Sequence, residues 1–116
     1  MLPKKNCLKR KKDFERVFKE GKGLKEGFLF LKHASNRLEA SRFGVVVSQK
    51  VSKKAVVRNK VKRRIRAIVA QKLQEMGEGK DFVFVALPGL ENRDFQELEE
   101  MINKLLKKAG ERWSKK

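Results

Sequence analysis

The segment VVRNKVKRRIR, residues 56–66, is the feature that most restricts how this chain can fold. Six of the nine residues from Arg58 onward are Lys or Arg, yet apolar residues recur every fourth position from Val57 to Ile65. On a helical wheel the apolar positions span about 100°, and the basic ones span about 200° on the opposite side. The pattern predicts an amphipathic helix that docks through one stripe and holds a rigid basic face toward solvent. The predicted stripe is Val57, Val61, Ile65, Ile68, Val69 and Leu73. The predicted basic face is Asn59, Lys60, Lys62, Arg63, Arg64 and Arg66, with Arg58 at its boundary.

Charge is distributed unevenly along the 116 residues. The net charge of +17 lies entirely in residues 1–66, which hold 22 Lys and Arg against 5 Asp and Glu. Residues 67–116 hold nine of each kind. Charge needed only for solubility would have no reason to segregate in this way, so we expect a polyanionic partner. Because 40% of the residues are hydrophobic, we expect residues 1–116 to fold as a single domain, with residues 1–10 as an extended basic segment.

Three features of the sequence bear on its cellular compartment. Cys7 is the only cysteine, which excludes an intrachain disulfide and is compatible with a reducing environment. The first residues lack the apolar stretch of a secretion signal. The longest uncharged run, from Phe82 to Leu90, is nine residues long, which is too short to span a bilayer. We therefore expect a soluble cytoplasmic protein without a membrane partner.

The segments before the basic helix predict one short helix and two strands. KKDFERVFKEG places Phe14, Val17 and Phe18 on one helical face and offers Gly21 as a stop. Residues 27–34 and 42–49 are rich in branched and aromatic side chains, and we expect them to pair as an antiparallel hairpin. The basic helix that follows has Ser52 as its predicted N-cap.

The segments after the basic helix complete a mixed α/β sandwich of the α+β class. KDFVFVALP predicts a strand buried on both faces, which is typical of a strand with a parallel neighbour. The order is α-β-β-α-β-α, with a possible extra short strand. The last helix is predicted to start at a capping box of Asp94 and Glu97, to end at Gly110, and to bury one stripe. That stripe is Phe95, Leu98, Ile102, Leu105 and Ala109.

The sequence contains no visible active site of its own. His33 is the only histidine, and no Cys or carboxylate stands near it at metal-ligand spacing. There is no glycine-rich phosphate loop and no tyrosine. We therefore expect no catalytic residue and no metal site on the protein. Any catalysis would draw its reactive group from a partner.

Features that suit RNA are plentiful. The basic helix supplies Lys and Arg for phosphate contacts. Lys50, Lys53 and Lys54 precede its N-terminus, an end that attracts phosphate by itself. Phe14 and Phe18 are candidate stacking surfaces for single-stranded RNA, and an ordinary core contact is an equal alternative for them. The chain is thus expected to be an RNA-binding domain.

The segment RNKVKRRIR resembles the RNR signature of the bacterial ribonuclease P protein subunit. KKDFERVFKEG is similar to the first helix of that family, RFGVVVSQKVSKKAVVRNK to its strand-loop-helix junction, and KDFVFVALPG to its last strand. The resemblance covers most of residues 8–90 in the family's order. It implies a left-handed βαβ crossover, whereas general rules favour the right-handed form.

This resemblance also implies a function. The protein would be the protein component of ribonuclease P, an endoribonuclease that removes the 5′ leader of precursor tRNA with Mg²⁺, and the catalytic centre would lie on the RNA subunit. Its partners would be the catalytic RNA and precursor tRNA, not DNA. The family's RNR helix corresponds to Arg58, Asn59, Lys60, Lys62, Arg63 and Arg66, and its leader-binding cleft to Phe14, Phe18, Phe28, Phe30, Lys50, Lys53 and Lys54.

Two other functions are open on residue chemistry alone. Composition would equally allow an RNA-binding protein without enzymatic function, such as a ribosomal protein. A DNA-binding regulator of the helix-turn-helix type would need two adjacent helices, whereas a strand hairpin is predicted before the basic helix. The complete RNKVKRRIR pattern, with Phe14 and Phe18 upstream, favours the ribonuclease P function over both.

Overall fold

A computed structural model describes residues 6–36, 38, 40–72 and 79–113, with side chains described through residue 110. These residues form a four-stranded sheet with helices on both faces, which confirms the predicted α+β sandwich. In chain order the elements are α1 (Lys11–Glu20), β1 (Lys22–Glu26), β2 (Leu29–Ser35), β3 (Arg42–Val46), α2 (Ala55–Gln71), β4 (Lys80–Ala86), a short 3-10 helix (Leu90–Asn92) and α3 (Phe95–Trp113).

The strand order in the sheet is β1-β2-β4-β3, so the last strand of the chain lies at the centre. It runs antiparallel to β2 and parallel to β3, which confirms the parallel neighbour predicted for this apolar strand. The predicted hairpin between residues 27–34 and 42–49 is wrong, because β4 separates the two strands. A strand that is apolar on both faces is most stable between two others, where neither face meets water.

The hairpin that does form joins β1 to β2, and β1 is the extra short strand. Its turn contains Gly27, whose φ of 57° lies in the left-handed region that favours glycine. The charged residues Lys22, Lys25 and Glu26 make β1 suitable for an edge position. The same charged residues explain why the sequence pattern did not predict the position of β1, since Leu24 is its only apolar side chain.

Side chains alternate between two cores along β4. Phe82 and Phe84 lie in the larger core, which α2 and α3 cover. Val83 belongs to a smaller core on the opposite face, together with Val17 of α1. The sheet therefore has one face closed by two long helices, and another face covered by one short helix.

Helix α2 docks on the larger core much as its stripe predicts. Val57 is half-buried, and Leu73 lies outside the described residues. The predicted N-cap is wrong: α2 begins at Ala55, and the Ser52 hydroxyl instead accepts a hydrogen bond from the Lys54 N–H in the preceding loop at 3.2 Å. Four members of the stripe are buried: Val61, Ile65, Ile68 and Val69. Because α2 connects the adjacent parallel strands β3 and β4, the unit is a βαβ crossover, and its left-handed form stays a prediction.

Helix α3 begins as predicted and ends later. The Glu97 N–H donates to Asp94 Oδ1 at 2.8 Å, and the Asp94 N–H donates to Glu97 Oε1 at 3.1 Å, which confirms the capping box. The prediction of Gly110 as C-cap is wrong, since the helix continues to Trp113. Phe95 does not join the buried stripe and is 41% exposed, because it is the first residue of the helix and lies beyond the core. The rest of the stripe is buried as predicted: Leu98, Ile102, Leu105 and Ala109.

Candidate nucleic-acid interface

The solvent side of α2 carries a row of basic and polar residues. Lys62 is half-buried at the margin of this row. The buried stripe on the other side of the helix fixes its orientation, so these side chains are presented from a rigid support rather than from a loop. The exposed members of the row are Asn59, Lys60, Arg63 and Arg66. From here on, the basic face means these four of the seven predicted residues.

Two arginines of the predicted site have partners within the protein. Arg58 donates from Nη1 to the carbonyl oxygens of Ser52 and Lys53, at 2.9 and 3.0 Å. Arg64 donates from Nη1 to the carbonyl oxygen of Arg93 at 3.5 Å. Arg58 thus holds the loop before α2 in place, and Lys50, Lys53 and Lys54 of that loop are all exposed.

A second candidate surface lies on the α1 side of the sheet. The Phe14 ring packs directly over Gly44, where a Cβ would clash with it, and the half-buried Phe30 ring covers Gly23 in the same way. Val46 and Val85 are also half-buried on this face. Since α1 is only ten residues long, it leaves this part of the sheet open, and we call the surface formed by Phe14, Phe30, Val46 and Val85 the cleft face.

Phe18 and Phe28 occupy different places from each other. Phe18 follows Phe14 by one turn of α1 and is 39% exposed, so its ring is available beside the cleft face. Phe28 packs against the larger core on the opposite side of the sheet, and the Arg93 guanidinium lies 4.8 Å from its ring centroid. The structure therefore brings Phe14, Phe18 and Phe30 to one side and leaves Phe28 apart from them.

A buried carboxylate that the sequence analysis did not identify holds α1 against the sheet. Asp81 is fully buried at the start of β4. Arg42 of β3 donates to it from Nε at 2.9 Å and from Nη2 at 2.7 Å, and Arg16 of α1 donates to it as well. The hydrogen bond to Asp81 raises the pKa of Arg42 above its ordinary value. Asn36 completes the group by donating to Asp81 Oδ1 at 2.8 Å.

The described residues offer few features of other kinds of site. Among them, no three His, Cys, Asp or Glu residues come close enough to hold a metal ion. His33 is buried in β2, at 5% exposure. Within the same part of the chain, no helix is both long and apolar enough to cross a membrane.

Comparison with known proteins gives a consistent result. The ribonuclease P family profile matches residues 2–110. The chain is 40% identical over 108 residues to the ribonuclease P protein component of Clostridium botulinum strain Langeland, which covers 92% of this chain and 96% of that protein. The RNase P protein of Thermotoga maritima superposes with a TM-score of 0.80 at 33% identity, covering 88% of this chain and 96% of the other. For the RNase P protein of Staphylococcus aureus the TM-score is 0.82 at 26% identity, with 90% and 94% covered.

Proposed function

Because the chain belongs to the ribonuclease P protein family, we propose that it binds a catalytic RNA and precursor tRNA as the protein subunit of a ribonuclease P ribonucleoprotein. In this function it assists removal of the single-stranded 5′ leader. The observation that carries the proposal is the basic face of α2, whose cations are exposed on a helix fixed by its buried stripe. Fixed cations on a rigid support suit the phosphate contacts that dominate affinity for RNA.

The two surfaces have different chemistry, and we assign them different RNA partners. The basic face has no aromatic residue, so it suits phosphates of the structured catalytic RNA. The cleft face offers the ring of Phe14 and, opposite Val85 in the sheet register, the ring of Phe30, with Phe18 beside it. Such rings stack on the bases of a single strand. We therefore place the leader on the cleft face, with the loop lysines Lys50, Lys53 and Lys54 as its phosphate contacts.

The reaction itself is assigned to the RNA. We place Mg²⁺ with the catalytic RNA and the substrate phosphates. Among the described residues, no three His, Cys, Asp or Glu side chains come together to hold a metal ion. The protein's contribution is electrostatic and positional. Its cations offset the repulsion between the catalytic RNA and precursor tRNA, two polyanions that must approach closely. A lower magnesium concentration is then enough for the same cleavage rate.

We expect a cleavage assay to separate these contributions. The protein alone should not cleave precursor tRNA at any magnesium concentration. Adding it to the cognate catalytic RNA should restore specific 5′ cleavage at magnesium concentrations where the RNA alone is inactive. The measurement is the cleavage rate across a magnesium titration, with and without the protein. Specific cleavage by an RNA-free preparation would refute the assignment of chemistry to the RNA.

The salt dependence of binding tests the basic face. If about six phosphates are neutralised, log affinity for the catalytic RNA should fall with log salt at a slope of roughly −4 to −5. Arg63→Glu should weaken binding and flatten that slope by roughly 0.7–0.9, the value of one lost phosphate contact. Lys107→Glu, an equal charge change at an exposed position of α3, is the control and should leave the slope unchanged. Equal slopes for wild type and Arg63→Glu would mean that the basic face is merely solvated.

A further inference from the structure

A groove of about 530 Å³ lies between α2 and the N-terminal segment, beside the edge strand β3. One wall is formed by residues 7–9 and the other by Arg63, Arg66 and Ala67 of α2, with Phe43 as the floor. Sequence reasoning did not find this groove, because it needs two segments that lie more than fifty residues apart. Its volume is in the range of sites that enclose a small ligand.

The groove is held open by both of its walls. The Leu8 N–H donates to the Phe43 carbonyl at 2.8 Å, and the Asn6 side chain donates to the Ser41 carbonyl at 2.7 Å. These bonds fasten the N-terminal segment to the edge of β3. The Phe43 ring stacks on Phe82 with 5.1 Å between the ring centroids, and the α2 wall is anchored by its buried stripe. A pre-formed site of this kind loses little conformational entropy when a ligand enters.

The lining combines an apolar interior with a cationic rim. Ala67 is exposed, whereas Leu8 and Phe43 expose only 5% and 3% of their surface to the groove. The cations of the rim are Lys9, Arg63 and Arg66. Within the described part of the chain, no carboxylate lines the groove, and no hydrogen bond or ion pair engages either guanidinium. Arg58 and Arg64 of the same helix differ, because they donate to backbone carbonyls. Two free guanidinium groups over an apolar slot suit a ligand with a flat apolar part and an adjoining anion.

We propose that this groove takes one unpaired nucleotide of the catalytic RNA, with its base in the slot and its phosphate on Arg63 and Arg66. The inference rests on the proposed function and adds to it a specific contact that phosphate binding alone would not require. A base within a duplex is stacked on both sides and cannot enter, whereas an unstacked base can. The leader is a poorer occupant, because Phe43 and the α2 wall lie on the larger-core side of the sheet, and only Leu8 of the lining packs with the smaller core on the cleft side.

The test fills the slot without changing any charge. Ala67→Leu places a larger side chain in the groove at an exposed helical position, where leucine is a good helix former. We expect affinity for the catalytic RNA to fall about 5- to 150-fold, the factor that corresponds to one lost stacking contact. The slope of log affinity against log salt should not change, because every cation remains. Asn103→Leu adds the same side chain at an exposed position of α3 and should bind like wild type.

A second measurement needs no variant. Cys7 is the only cysteine of the chain and lines the groove, so its rate of alkylation by iodoacetamide reports on access to the slot. In the wild-type protein, saturating catalytic RNA should slow this alkylation at least several-fold. In Ala67→Leu, the same fraction of bound RNA should protect Cys7 less. An alkylation rate that RNA does not change would overturn the proposal.

The outcomes separate this proposal from the function on which it rests. If Arg63→Glu weakens binding of the catalytic RNA while Ala67→Leu does not, the nucleotide site is refuted and the basic face stands. If neither variant affects that binding, the proposed function of α2 fails as well. If Ala67→Leu weakens only the binding of precursor tRNA to the assembled complex, the occupant belongs to the substrate, and the assignment to the catalytic RNA is overturned.

Discussion

Replacing Asp81 with alanine is expected to lower the free energy of unfolding by about 3 kcal/mol. Removing one partner of a buried ion pair typically costs 3–5 kcal/mol, because the remaining charge loses its compensation. The lower value applies here because Arg42 and Arg16 keep 19% and 29% exposure. Both arginines also keep other partners, since Arg42 retains Asp13 and Arg16 retains the Ser35 carbonyl. Against a total stability of 5–15 kcal/mol for a typical domain, the loss is large.

Urea unfolding of wild type, Asp81→Ala and Asp13→Ala measures this effect. Asp13 is the matched control, because its carboxylate is 24% exposed and makes one contact of 3.3 Å with Arg42, so its loss should cost about 1 kcal/mol or less. The double variant Arg42→Ala with Asp81→Ala should be more stable than the sum of the single changes predicts, since it removes both charges of the pair. Equal small losses for Asp81→Ala and Asp13→Ala would show that the buried carboxylate does not hold α1 on the sheet.

The second large effect separates two phenylalanines that lie one turn apart. Phe14 packs on Gly44 and is half-buried, so Phe14→Ala should cost about 2–3 kcal/mol, somewhat less than the 3–5 kcal/mol of a fully buried ring. Phe18 is 39% exposed, so Phe18→Ala should cost about 1 kcal/mol or less. If Phe18 stacks on the leader, its loss should weaken precursor tRNA binding by about 1–3 kcal/mol and leave mature tRNA binding nearly unchanged.

The measurements are thermal unfolding and binding of the assembled ribonucleoprotein to both forms of tRNA. Phe95→Ala is the control, because Phe95 is exposed to nearly the same degree, 41%, but lies at the start of α3. Phe95→Ala should lower stability as little as Phe18→Ala does, and it should leave the preference for precursor tRNA unchanged. Equal losses of precursor and mature tRNA binding in Phe18→Ala, together with a large drop in melting temperature, would place Phe18 in the core and the leader elsewhere.

Periodic patterns made much of the fold predictable. The apolar stripe of α2 predicted a helix with one buried face, and the continuous apolar run of β4 predicted a strand buried on both faces. Both elements are buried in this way in the structure. The pairing of strands was not predictable from such patterns, because a strand's neighbours are chosen by burial across the whole sheet. Residues 27–34 and 42–49 are consecutive strands in the sequence pattern and were therefore predicted to pair. The strand that lies between them in the sheet, β4, comes later in the chain.

The candidate site was predictable where it depended on one helix, and not where it depended on a turn or a buried charge. Alternation along a strand would place Phe28 and Phe30 on the same face. Phe28 precedes the first residue of β2 and belongs to the turn, so this rule does not apply to it. Asp81 looks like an ordinary polar boundary before an apolar run, and its partners Arg16 and Arg42 are distant in sequence. Only the three-dimensional arrangement shows that these groups meet.

The central position of β4 determines when the two proposed RNA-binding surfaces can form during synthesis. Residues 1–66, which carry the entire excess of positive charge, leave the ribosome before β4 does. Until residues 80–86 are available, β2 and β3 have no strand between them, and neither the cleft face nor the docking site for α2 can be complete. The nascent chain therefore carries its full excess of positive charge before its sheet can be completed, and the proposed RNA-binding surfaces take their final shape only when the last strand is inserted. On the proposed function, this order separates non-specific attraction to RNA, which needs charge alone, from specific recognition, which needs the finished sheet.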